Sequence, residues 1–327
     1  SLSAAGRLDP AAETYEARVR CDGFPFGAFL PADSLGTVDF AAAARGAGFD
    51  PFAPQTTVSV SIGAERLEYA GRDFGGIGID AVLEDGRLSG RIADRDEALR
   101  LALDFSGEVT RERQSVRLAG RVAEFDLAAL GVTPDRIGGT FGLDFRASAS
   151  QEGTYAASLA LDSIGIRNGY RTDRIRPTSV AVGADTASVR AEVRSGDFVL
   201  TLSAPASPDS LLAAAARASE TLRRQLREQA FDMEELQVVL PRFRLQAEAG
   251  RNNILNNFLR TKGASFRGLH VAGANDGAEP LSLRMRVDGL DAGGVVLDTV
   301  ALGIAREERR LAYRLGVSNA PGHLDHV

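Results

Sequence analysis

The stretch IDAVLEDGRLSGRI, residues 79–92, alternates apolar and polar residues up to Asp85-Gly86 and then away from it. Both central residues of a two-residue hairpin turn need positive φ, which Asp-Gly adopts at little cost. Counting outward predicts Leu83 opposite Leu88, Ala81 opposite Gly90 and Ile79 opposite Ile92 on one face. The other face then pairs Glu84 with Arg87 and Asp80 with Arg91. A slip of one residue would exchange the two faces, so the register is set by which side leaves water.

The same device recurs along the chain. In RAEVRSGDFVLTL, a turn at Ser195-Gly196 predicts Arg194 opposite Asp197, Val193 opposite Phe198, Ala191 opposite Leu200 and Val189 opposite Leu202. Two three-residue loops end in glycine. Gln151-Glu152-Gly153 would bring Phe145 to Leu159 and Leu143 to Leu161, and Arg167-Asn168-Gly169 would bring Ile166 to Tyr170 and Ile164 to Thr172. A looser turn at 111–114 predicts Val109 with Val116 and Leu103 with Val122. At 306–309, REER predicts Ile304 opposite Leu311 and Leu302 opposite Tyr313.

Alternation bounded by turn signals predicts half-buried antiparallel strands, a dozen or more from about residue 56 onward. The fold class is mainly β: an elongated antiparallel β-meander, curled or folded into a half-pipe with an apolar lumen. One amphipathic helix is expected at about 207–230, with Ser207 as N-cap, Pro208 in the first turn, and Leu211, Ala215, Leu222 and Leu226 on its inner stripe. Short helical turns are expected at 125–132, ending at Gly131, and at 252–260. The alanine run in VDFAAAARGAGF fits helix or strand. Four segments follow: N-terminal strands and irregular chain at 1–52, a β-meander at 53–205, the helix at 206–232 and a second β-region at 233–327.

Composition narrows the function. A length of 327 residues exceeds a usual single core, so two domains or a repetitive body are expected. The net charge of −6 argues against nucleic acid as partner. No apolar run approaches the roughly 18 residues of a membrane span. Cys21 is the single cysteine, which excludes an internal disulfide. The N-terminal SLSAAGRLDPAAE lacks the layout of a signal peptide, as a mature or excised segment would.

Reactive motifs are missing: there is no G-x-S-x-G elbow, and GGIGID (75–80) lacks the spacing of a dinucleotide loop. His323 and His326 lie in a terminal tail, and His270 in an alternating strand reads as a surface residue. The absence of tryptophan and the five tyrosines weaken a sugar-binding reading. No catalytic residue, cofactor or metal site is expected, and the chain is read as not an enzyme.

Three phrases carry a family resemblance: GAGFDPFAPQTTVSVSIGAERLEYAGRDFGGIGIDAVLEDGRLSGRI, VAEFDLAALGVTPDRIGGTFGLDFRAS and RFRLQAEAGRNNILNNFLRTKGASFRGLHVAGANDGAEPLSLRMRVDGL. Together they resemble the TamB and AsmA-like envelope proteins, in particular TamB-like proteins of the Bacteroidetes type, across most of residues 40–317. The resemblance implies a periplasmic β-rich half-pipe (a β-taco) in a Gram-negative envelope, in a parent protein anchored in the inner membrane. It implies transport of phospholipid or support of outer-membrane protein assembly, with an outer-membrane barrel of the TamA or BamA kind as partner. This chain departs from the family in lacking the anchor helix and a clear partner-docking region. The expected function is a non-enzymatic hydrophobic groove for phospholipid acyl chains. It would be lined by Ile79, Leu83, Leu88, Ile92, Leu103, Phe105, Phe141, Leu143, Phe145, Leu159, Leu161, Val193 and Phe198. The alternatives are a structural or adhesive β-repeat protein with a dry core and, behind it, a glycan-active enzyme.

Overall fold

The computed structural model of the chain describes all residues except 26–34, 70–71, 170, 229–234, 236–238, 276–280, 308–309 and 320–327. It has the expected mainly antiparallel β architecture, with 21 strands and two helices among the described residues. Two compact units divide it, residues 1–152 with 158–174, and 153–157 with 175–327.

The strands of the first unit are β1 (Leu2–Asp9), β2 (Thr14–Pro25), β3 (Leu35–Ala47), β4 (Thr57–Tyr69), the short β5 (Arg72–Phe74), β6 (Ile77–Glu84), β7 (Arg87–Arg95), β8 (Leu99–Val109), β9 (Arg113–Asp126) and β10 (Ile137–Ser150). Most of β11 (Tyr155–Asn168) and β12 (Arg171–Arg174) complete it. Pairing follows chain order from β1 to β4, passes to β6 and continues to β10, always antiparallel. The alanine run is strand: β3 is paired on both sides, and that pairing overrides the helix propensity of alanine.

The opening hairpin has the predicted register in full, from Glu84 opposite Arg87 to Ile79 opposite Ile92, with φ of 51° at Asp85 and 68° at Gly86. Other turns differ. Val109 faces Gln114 and Leu101 faces Val122, because Thr110 and Arg113 close a tighter turn through backbone and hydroxyl hydrogen bonds of 2.8–3.0 Å. Ile166 faces Asp173 and Asn168 faces Arg171, a pairing three residues from the predicted one, and Tyr170 is outside the described residues.

In the second unit, β13 (Thr178–Ala184), β14 (Val189–Ser195), β15 (Phe198–Ala204), β16 (Phe243–Ala249), β18 (Gly268–Asn275), β19 (Ser282–Ala292), β20 (Val295–Glu307) and β21 (Arg310–Ser318) pair in that order. The two-residue β17 (Ala264–Ser265) adds to β19. Here the β14–β15 turn is Gly196-Asp197, with Ser195 opposite Phe198 and Val193 opposite Leu200. The register therefore moves by two residues from the prediction, which leaves each side chain on its predicted face. At the last hairpin Ile304 faces Tyr313 and Leu302 faces Leu315, again two residues from expectation, and Glu308-Arg309 lie outside the described residues.

Helix α1 (Pro208–Glu228) starts as predicted, with the Ser207 hydroxyl accepting from the Ser210 amide at 3.3 Å. Its inner stripe is rotated from the expected one: Ala218, Thr221 and Gln225 are buried, whereas Ala215 and Leu222 are exposed. Gln225 is held through its amide to Glu235 at 3.2 Å. The side chain of Leu226 is outside the described residues. Residues 126–132 make a single helical turn, capped by the Asp126 carboxylate on the amides of Ala128 and Ala129. Helix α2 (Ile254–Thr261) takes Asn253 as its N-cap. Neither helix is long and apolar enough to cross a membrane.

Candidate functional site

Cross-strand partners define rows that run across a sheet, perpendicular to its strands. In the first unit one row reads Ala4, Val19, Ala42, Ile62, Ile79, Ile92, Leu103, Gly120, Leu143. Its neighbour reads Gly6, Ala17, Ala44, Val60, Ala81, Gly90, Phe105, Leu118, Phe145. No polar side chain interrupts either row. Nine strands at about 4.8 Å spacing make each row about 38 Å long. A β-carbon at Gly90 would lie 2.3 Å from the Phe105 ring, so that glycine makes room for the aromatic.

The second unit repeats the arrangement. Val180, Val193, Leu200, Ala247, Val271, Met285, Leu302 and Leu315 form one unbroken row. A groove of about 640 Å³ crosses β16, β18, β19, β20 and β21, and Val271, Met285, Leu302 and Leu315 are among its lining residues.

These faces are not sealed. Of the thirteen predicted groove residues only Leu83 and Leu103 are buried, at 9% and 7% exposure, and the other eleven are half-buried. The structure unites most of them: Ile79, Ile92, Leu103 and Leu143 share one row, Phe105 and Phe145 the next, and Leu83 faces Leu88. Phe141 sits opposite Val122 with its ring 5.8 Å from that of Phe125. Gly139 lies against Gly165 and Gly142 against Asp162, the placement that the predicted pairing of Leu143 with Leu161 and Phe145 with Leu159 requires. Val193 and Phe198 share a face without facing each other.

The opposite face is polar and ionic. Asp80, Arg91 and Asp104 are neighbours across β6, β7 and β8, with Arg91 3.9 Å from Asp104. Asp144 accepts from Arg146 and Arg117, and these two hydrogen bonds lower its carboxyl to about 2. Asp94 is an exception on the apolar side: two residues from Ile92 on β7, it shares that face opposite Leu101 and is only 4% exposed. Burial pushes its carboxyl up, against the amides of Asp96 and Arg95 that pull it down.

Two features escaped the sequence reading. The apolar rows extend through β1–β3, in the segment read as N-terminal strands and irregular chain, although TYEARVRC (14–21) already alternates Tyr15, Ala17, Val19 and Cys21 with charged residues. The second is a buried polar knot under α2. Asn253, Asn256 and Ser195 are fully buried. Asn253 donates to Asp197 at 2.6 Å and to the Gly250 carbonyl at 2.9 Å, and accepts from the Asn256 amide. Asn256 in turn donates to the Phe266 carbonyl at 2.7 Å and accepts from the Phe266 amide at 3.1 Å. The Ser195 hydroxyl accepts from the Ile254 amide. Burial alone would raise the Asp197 carboxyl; the hydrogen bonds from Asn253 and from the amides of Asn252, Gly250 and Arg251 hold it below the usual range.

His270 is exposed on β18, and His323 and His326 lie outside the described residues. Among the described residues no group of three or more His, Cys, Asp or Glu side chains is placed to hold a metal ion. No family model, curated protein or solved structure matches the chain.

Proposed function

We propose that the apolar faces of the two units are a non-enzymatic binding surface for phospholipid acyl chains, in a periplasmic, bridge-like envelope protein of the TamB kind. One observation carries the reading. Uninterrupted apolar rows cross every main strand from β1 to β10, and again from β13 to β21, yet most of their side chains remain half-exposed. An acyl chain spans about half of a roughly 30 Å hydrocarbon core, so one row exceeds its length twice over. Each methylene removed from water on such a row gains about 0.8 kcal/mol with no polar contact required. A surface of this sort binds by area, and needs no reactive group. A dry-core scaffold would instead bury these residues. Support of outer-membrane protein assembly, with a barrel partner, belongs to the same proposal through the family resemblance.

The test is acyl-chain photocrosslinking from position 105 in protein purified from a bacterial host. Leu143→Arg or Phe145→Arg is expected to abolish the crosslink while strand content by circular dichroism is retained. Wild-type crosslinking in a folded Leu143→Arg protein would refute the groove.

A further inference from the structure

Helix α2 has eight residues, short of the about 12–15 that an isolated helix needs. The knot of Asn253, Asn256 and Ser195 fixes it to the sheet instead. The side that faces away from the knot is apolar: Ile254 is 39% and Phe258 58% exposed, one helical turn apart. Around it stand the exposed Arg251, Arg260 and Lys262, the last being the chain's only lysine. From 249 to 275 the sequence has no aspartate or glutamate, in a chain of net charge −6. Asp197, the carboxylate that reaches this segment, is engaged by Asn252 and Asn253.

We propose that this face of α2 docks on an anionic lipid bilayer surface. Ile254 and Phe258 would enter the headgroup–acyl boundary, with Arg251, Arg260 and Lys262 at the depth of the phosphates. Two apolar side chains offer far less than the roughly 800 Å² per partner of a stable protein interface. Shallow insertion flanked by cations is, however, how interfacial helices hold to membranes. The knot supplies what so short an element lacks, a fixed orientation before contact. This site is separate from the proposed acyl-chain groove and does not depend on it.

Flotation of the purified chain with phosphatidylcholine vesicles, with and without phosphatidylglycerol, tests the proposal. Binding is expected only with phosphatidylglycerol, and to be reversed by salt. Ile254→Gln with Phe258→Gln should weaken it about tenfold or more, and Arg260→Gln with Lys262→Gln about fivefold per charge. All four side chains are on the surface, so both double variants are expected to keep their strand content by circular dichroism, and either alone decides the matter. Leu143→Arg should float normally, which separates this outcome from failure of the groove. Equal binding to neutral vesicles, unchanged binding of either double variant, or self-association lost in the variants without any flotation would overturn it.

Discussion

Asn256 does more for the fold than any single apolar residue near it, because it completes the hydrogen bonding of backbone groups that water cannot reach. Its amide reaches the carbonyls of Phe266 and Arg251, and its carbonyl takes the Phe266 amide. Asn256→Ala would strand both polar groups of Phe266, itself 4% exposed. A loss of roughly 2–6 kcal/mol is expected in denaturant unfolding, about 1–3 for each orphaned group. On the ionic face the measurable quantity is a titration. Asp144 is depressed to about 2 by Arg146 and Arg117, below the unfolded value of about 3.9. Its contribution to stability is therefore present above about pH 4 and is lost as pH falls through about 2. An NMR titration should give a midpoint near 2 for Asp144, moving up towards the unfolded value in Arg146→Gln. Asp94 has the opposite sense: burial raises its carboxyl, so its contribution declines as pH rises past the unfolded value.

Elements keep their faces by counting in twos, and the departures show where a different count was needed. Along β9, three steps from Val122 to Phe125 face only two on β8, from Leu101 to Leu99, and two on β10, from Phe141 to Gly139. The bulge returns Phe125 to the apolar face, where it meets Phe141. Deleting Ala123 should close the bulge, keep Phe125 opposite Leu99 on the apolar face and change stability by no more than about 1 kcal/mol, measured by urea denaturation. The β6–β7 hairpin was legible because its turn and its pairing are both local. The β14–β15 turn was misplaced because its determinant is distant: Asp197 must sit in the turn to meet Asn252 and Asn253, more than fifty residues on. The knot was illegible for the same reason: NNILNN reads locally as the start of a short helical turn, and nothing in it shows which distant groups its asparagines meet. Val193 and Phe198 keep their face, because the misplaced turn between them shifts pairing by two.

Across the whole molecule, every recorded strand pairing joins neighbours in chain order or the next but one. Few contacts thus demand closure of a long loop, and the entropy of ordering is met one hairpin at a time. The alternation that made this plan readable also hid its extent, because β1 and β3 are rich in alanine and glycine and carry a weak apolar signal. Such a body behaves as a nearly one-dimensional lattice, in which each strand answers chiefly to those beside it. It follows that length is a free variable. Excising or duplicating a matched pair of strands would leave the flanking registers in step and both faces intact, so a lineage could lengthen or shorten this chain without redesigning any part that remains.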